Sequence, residues 1–127
     1  MAAKDLVSSI VLMRPFVPAR DYARSFKFYE TLGFHMHPEG DALASCQLGA
    51  FGFLLQHFDV KEFCENYMMH MLVTDLDKWW AHIESLKLTE TFGVRVIPPR
   101  QEPWGLRVCY VNDPSDVLWH FAVESTG

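Results

Sequence analysis

The chain has 127 residues, half of them hydrophobic and 21% charged, with a formal net charge of −5 at pH 7. That is one domain's worth of ordinary globular protein. Its basic residues are scattered singly, which argues against a nucleic-acid partner, because phosphate binding needs clustered Lys and Arg. No apolar stretch approaches bilayer length, so no membrane-spanning helix is expected. Three cysteines, Cys46, Cys64 and Cys109, each lie in an apolar run without CxxC spacing. An odd count of that kind implies reduced, buried thiols and a cytoplasmic location rather than a disulfide framework. No small-residue cleavage site follows the N-terminal MAAKDLVSSIVLM, so no export signal is expected.

In chain order, Ser9–Phe16 (SIVLMRPF) reads as a strand with an irregular end at Pro15 and Pro18. Asp21 is a helix N-cap. Ala23, Phe26, Tyr29 and Leu32 then recur at three-residue steps, and Gly33 closes the helix. Strands are predicted near Phe34–His37, Ala42–Leu48 and Phe51–Phe58, separated by turns at Pro38–Asp41 and Gly49–Ala50. The order then repeats. Tyr67–Val73 is a strand, Asp75 or Asp77 a cap, and Leu76, Trp79, Trp80, Ile83 and Leu86 form the apolar side of a helix. Strands near Val94–Ile97, Leu106–Val111 and Val117–Val123 follow, with breaks at Pro98–Pro99 and Asn112–Ser115.

The repeat is visible in the residues themselves. Asp75 lies 54 positions after Asp21, and the same offset joins Glu30 to Glu84, Thr31 to Ser85 and Leu32 to Leu86. Leu55-Gln56-His57-Phe58 matches Leu118-Trp119-His120-Phe121 at an offset of 63. Two copies of a β-α-β-β-β unit, about residues 8–60 and 66–124, must close a core together in an α+β domain with a concave mixed sheet.

Val17–Phe34 (VPARDYARSFKFYETLGF) resembles the first strand and helix of the vicinal oxygen chelate superfamily, which includes glyoxalase I, fosfomycin-resistance and bleomycin-resistance proteins. Pro103–Phe121 (PWGLRVCYVNDPSDVLWHF) is similar to the closing segment of its bleomycin-resistance-like branch, with Asp116 where Gly is common. Asp tolerates the left-handed backbone needed there. The resemblance implies a homodimer with ligand grooves between units or subunits.

Metal-dependent members of that superfamily ligate from the first and last strand of each unit. Transferred to this chain, those positions are Arg14, His57, Met68 and His120. The set suits a hard cation poorly. Arg14 is always charged and only donates, Met68 is a soft thioether, and no carboxylate remains. An alternative set, His57, His70 and His120, stays open. Without a metal no Lewis acid polarises a dioxygen substrate. A metal-free acid–base enzyme remains a second reading, with His57 and His120 as titrating groups.

The leading expectation is therefore a metal-free, cofactor-free protein that binds and sequesters a small, partly aromatic or cationic compound. Strand alternation places Phe53, Leu55 and His57 on one face, Met68 with His70, and Leu118 with His120, lining an apolar cavity with a few polar groups. Trp104, in a Pro-Trp-Gly turn, is placed to stack on a ligand or to plug a dimer seam. Trp79 and Trp80 diverge by about 100° on their helix and are read as structural. A glyoxalase- or dioxygenase-type enzyme and a structural dimer with a vestigial pocket are the other two readings.

Overall fold

A computed structural model describes residues 3–125. It contains two four-stranded sheets of identical plan. The first comprises β1 (Phe16–Ala19), β2 (His35–Pro38), β3 (Leu43–Leu48) and β4 (Phe51–His57), in the order β1-β4-β3-β2. The second comprises β5 (Met68–Leu72), β6 (Val96–Gln101), β7 (Leu106–Asn112) and β8 (Leu118–Glu124), in the order β5-β8-β7-β6. In each sheet the first strand pairs parallel with the last and the other pairs are antiparallel. Parallel neighbours need a crossover, supplied by α1 (Tyr22–Leu32) in unit one and α3 (Leu76–Ser85) in unit two.

Both crossover helices start as expected. Asp21 accepts the amide of Arg24 and Asp75 that of Lys78, so Asp75 rather than Asp77 is the cap. Gly33, at φ 126°, ends α1 in a backbone conformation closed to most side chains. Two five-residue helices, α2 (Lys61–Glu65) and α4 (Leu88–Phe92), were not anticipated; they are too short to show a helical period.

The first strand corrects the sequence reading. Ala3–Ser9 is a 3₁₀ helix, residues 10–15 have no regular structure, and β1 begins only at Phe16. The β-branched run at Ile10–Val11 meets no partner strand, and propensity without pairing does not make a strand. The carbonyls of Pro15 and Ala19 accept from Leu54 and Phe58, so odd-numbered residues turn their peptide groups toward β4. Pro18 falls on the free edge, where its missing N–H costs nothing. Pro98–Pro99 likewise does not break β6; the edge strand runs through it with a shift in register between Ile97 and Arg100.

One core serves both units. Tyr29 of α1, Phe53 of β4 and Trp119 of β8 lie with ring centroids 4.9–5.7 Å apart. Beneath them runs a buried chain of hydrogen bonds. Trp119 Nε1 donates to Tyr29 Oη (2.9 Å), which donates to Asp113 Oδ2 (2.5 Å), while Asp113 Oδ1 accepts the amides of Ser115 and Val117. This carboxylate is 1% exposed and shapes the β7–β8 turn, in which Asp116 adopts φ 69° as expected.

Candidate functional site

Each sheet has one face covered by helices and an opposite, more open face, on which sheet two carries a small buried cluster of Val108, Tyr110 and Ala122. In sheet one Val17, Ala44, Cys46, Phe53 and Leu55 are buried in the shared core. The alternate positions Phe16, Ser45, Leu54 and Gln56 therefore look out on the open face. In sheet two Trp119 and Phe121 are covered, while Met68, His70, Leu118, His120 and Tyr110 share the open face.

Met68 and His70 share the open face, as do Leu118 and His120, whereas Phe53, Leu55 and His57 turn to the covered side of their sheet. Phe53 and Leu55 are 1% and 0% exposed in the core. His57 ends β4 on their side of the sheet, exposed and apart from the other histidines. The difference from the sequence reading lies in register. His70 pairs with His120, and the position 54 residues before His70 is Phe16, which pairs with Leu54. The counterpart of His120 in unit one is therefore Leu54, an offset of 66 rather than 63. A slip of three residues is odd, so it moves a side chain to the opposite face. The Leu-Gln-His-Phe and Leu-Trp-His-Phe likeness that suggested 63 is a coincidence of composition.

On the open face of sheet two the polar groups form a row. The rings of His70 and His120 are 5.6 Å apart, and that of Tyr110 is 5.0 Å from His120. The guanidinium of Arg100 lies 5.4 Å above the Tyr110 ring and donates to Glu102, which is only 8% exposed. Burial holds His120 below the usual imidazole range, with the charge of His70 adding to the shift and that of Glu102 opposing it. His120 is thus a neutral imidazole near pH 7, fit to accept or donate one hydrogen bond. Glu102 and Tyr110 went unremarked in the sequence. Their signal was the pairing of Tyr110 opposite His120, legible only once β7 and β8 are in register.

On sheet one, Arg14 precedes β1 and donates from Nη1 to Ser45 Oγ at 2.8 Å. Trp104 is 59% exposed at the tip of the β6–β7 hairpin. Between the β3–β4 turn, the free edge of β5 and the start of α3 lies a mostly apolar groove of about 660 Å³. Phe34, Phe53, Met69, Trp79 and Trp119 line it from the covered side, and of the polar row His70 alone lines it, at the edge of β5. The thiols take no part. All three cysteines are buried, and burial pushes Cys46 up to about 12 and Cys109 to about 11.

The family model described as Glyoxalase/Bleomycin resistance protein/Dioxygenase superfamily matches residues 10–121. The chain belongs to this superfamily. Among curated proteins no relative matches it by sequence. Among solved structures it is similar to a bleomycin-binding protein complexed with bleomycin (19% identity, 91% of this chain and 100% of that one, TM-score 0.77). It is also similar to the bleomycin-binding protein from bleomycin-producing Streptomyces verticillus complexed with copper(II)-bleomycin (22% identity, 91% and 98%, TM-score 0.74). A lactoylglutathione lyase from Agrobacterium tumefaciens aligns at 16% identity, covering 90% and 94%, with a TM-score of 0.64. At these identities the likeness establishes the fold.

The residues present do not fit the superfamily's metal. With the register corrected, its four positions hold Arg14, Leu54, Met68 and His120, of which His120 alone is a ligand for a hard cation. Among the described residues no group of three His, Cys, Asp or Glu side chains is placed to hold a metal. No helix among them is long and apolar enough to cross a membrane.

Proposed function

We propose that this superfamily member binds and sequesters a small, partly aromatic compound without a metal. The apolar groove of about 660 Å³, with His70 in its lining as its link to His120 on the open face, carries this reading. It is large enough for a drug-sized ligand and offers few but placed polar groups, the usual form of a small-molecule site. The bleomycin complexes of similar folds lend support. Phe53 and His70 are the proposed contacts within the groove, Met68, Leu118 and His120 those on the adjoining open face, with Arg14 and Trp104 reaching the ligand from the other sheet or another subunit. Of the two ligand characters expected from the sequence, aromatic is favoured over cationic, because an arginine stands on one open face.

A homodimer belongs to the same proposal. Leu6, Val7, Ile10, Val11, Leu12 and Met13 are 49–93% exposed, an apolar arm that a second copy would cover. The two units act as one domain, and three reduced, buried thiols suit a cytoplasmic setting.

Native mass spectrometry of the purified protein, with elemental analysis, tests the reading. The expected result is a dimer that retains organic ligand with less than about a tenth of a metal ion per chain. Close to one Zn, Mn, Fe or Ni per chain after mild dialysis would overturn it in favour of a metal-dependent enzyme.

A further inference from the structure

The inference concerns the charge of the ligand and rests on the small-molecule reading above. Arg14 is half-buried at the start of the open face of sheet one, and its hydrogen-bond partner is the neutral hydroxyl of Ser45. Among the described residues it makes no ion pair, whereas Arg20, Arg100 and Arg107 each meet a carboxylate: Asp59, Glu102 and Asp77. Arg24 donates to the carbonyl of Phe92 and lies over its ring. Arg14 is thus a partly desolvated cation held on an open face by one hydroxyl. A guanidinium has five donors and its strongest partners are carboxylates and phosphates, so most of its capacity is left for another molecule.

Next to Arg14, the carbonyl of Pro15 accepts the amide of Leu54 on β4, and the arginine reaches past β4 to Ser45, the partner of Leu54 on β3. His37 stands opposite Ser45 across the β2–β3 ladder and adds a donor on the same face, though Glu39 lies 3.6 Å from it. Phe16 and Leu54 flank the path as apolar surface.

We propose that this face is an anion subsite, in which Arg14 and Ser45 together take a carboxylate or phosphate group carried on an apolar or aromatic ligand. Four probes of one shape test it: benzoate, phenyl phosphate, benzyl alcohol and benzylamine, titrated into the full chain by calorimetry or NMR. The two anions are expected to bind at least ~5-fold more tightly than benzyl alcohol, with benzylamine weakest. Phenyl phosphate outranking benzoate would assign the subsite to phosphate; the reverse would assign it to carboxylate. Arg14→Ala is expected to lose about 10-fold or more for the anions and little for benzyl alcohol. Arg14→Lys should keep part of that affinity, since it keeps the charge and loses the planar fork.

Binding by the wild type that is blind to charge would overturn the anion subsite and leave small-molecule binding standing. So would an Arg14→Ala protein that dissociates to monomers while its residual chains bind the anions as before, because Arg14 would then serve a partner subunit's carboxylate. Failure of all four probes would overturn the subsite, whereas an organic ligand retained in native mass spectrometry would still support the broader reading.

Discussion

The two open faces are built on one plan, yet sheet one presents a guanidinium, a hydroxyl and a leucine where sheet two presents a thioether, a phenol and an imidazole. Arg14 and Met68 are counterparts, as are Leu54 and His120, and Ser45 and Tyr110 stand across from those last two. The covered faces have not diverged in this way: Phe53 and Trp119 meet there in one aromatic core. Duplicated units must keep the surfaces that bury against each other, while open surfaces are free to acquire separate chemistry.

The largest expected effect separates the two faces of a single strand. Phe53→Ala, on the covered face of β4, should cost about 3–5 kcal/mol, through lost burial and the cavity left behind. Its neighbour Leu54 is only partly buried, and Leu54→Ala should cost less than about 1.5 kcal/mol. Chemical denaturation of the two variants measures the difference, and equal losses would break the face assignment on which the site rests.

The next contrast lies in the turns. Leu48 and Phe51 pair across a two-residue turn in unit one, while unit two spends five residues between Asn112 and Leu118 and buries Asp113 there. Burial pushes this carboxyl from 3.8 up to about 6, against the hydrogen bonds from Tyr29 and the two amides. Because the folded value is the higher one, the folded chain holds a proton that the unfolded chain has already released between about pH 4 and pH 6. This contribution to stability is therefore present below pH 4 and lost as the pH rises through 6, by about 2–3 kcal/mol. Asp113→Asn should abolish that slope, so the stability difference between variant and wild type should shift by this amount over the window. Parallel pH profiles would show the carboxyl to be irrelevant.

A third comparison uses Gly52, whose counterpart at the offset of 66 is Leu118. A methyl group on Gly52 would lie 2.6 Å from the carbonyl oxygen of Cys46, and its next nearest neighbours are backbone atoms too. Gly52→Ala should destabilise by roughly 1–3 kcal/mol, although alanine is ordinarily welcome in place of glycine. Unchanged melting would mean that β3 and β4 separate more easily than their ladder suggests.

How far the sequence foretold this molecule depended on whether a signal was local. Asp21 and Gly33 act through bonds within a few residues, and they fixed α1 to the residue, whereas the start of α3 stayed open between Asp75 and Asp77. Trp119, His120 and Leu118 alternate strictly, so the faces of β8 came out correctly. Long-range register was not legible. Nothing near His57 reveals which residue of β1 it pairs with, and a match of three residues in four outweighed the two-residue turn at Gly49–Ala50 that sets the true offset. The strand assigned to Ser9–Phe16 failed before Phe16 for a related reason, since its propensity had no partner. Glu102 and Arg100 escaped notice because their importance lies in a neighbour on another strand.

The smallest effect expected sits within sheet two, and it tests whether the polar row behaves as one unit. His120 is held below the usual imidazole range first by burial and then by His70, while Glu102 pulls the other way. Removing each neighbour should move the titration of His120, followed by NMR, in opposite directions. His70→Ala deletes a positive neighbour and opens the face to water, so both changes favour the imidazolium and the value should rise. Glu102→Gln deletes the negative charge that favours the imidazolium, so the value should fall further. His57→Ala, at the far end of the other sheet, should leave His120 where it is and change stability by less than about 0.5 kcal/mol. A response of His120 to His57 would restore the register that the strand pairing rejects. Silence toward both His70 and Glu102 would dissolve the row into separate side chains, leaving the groove alone as the recognising surface.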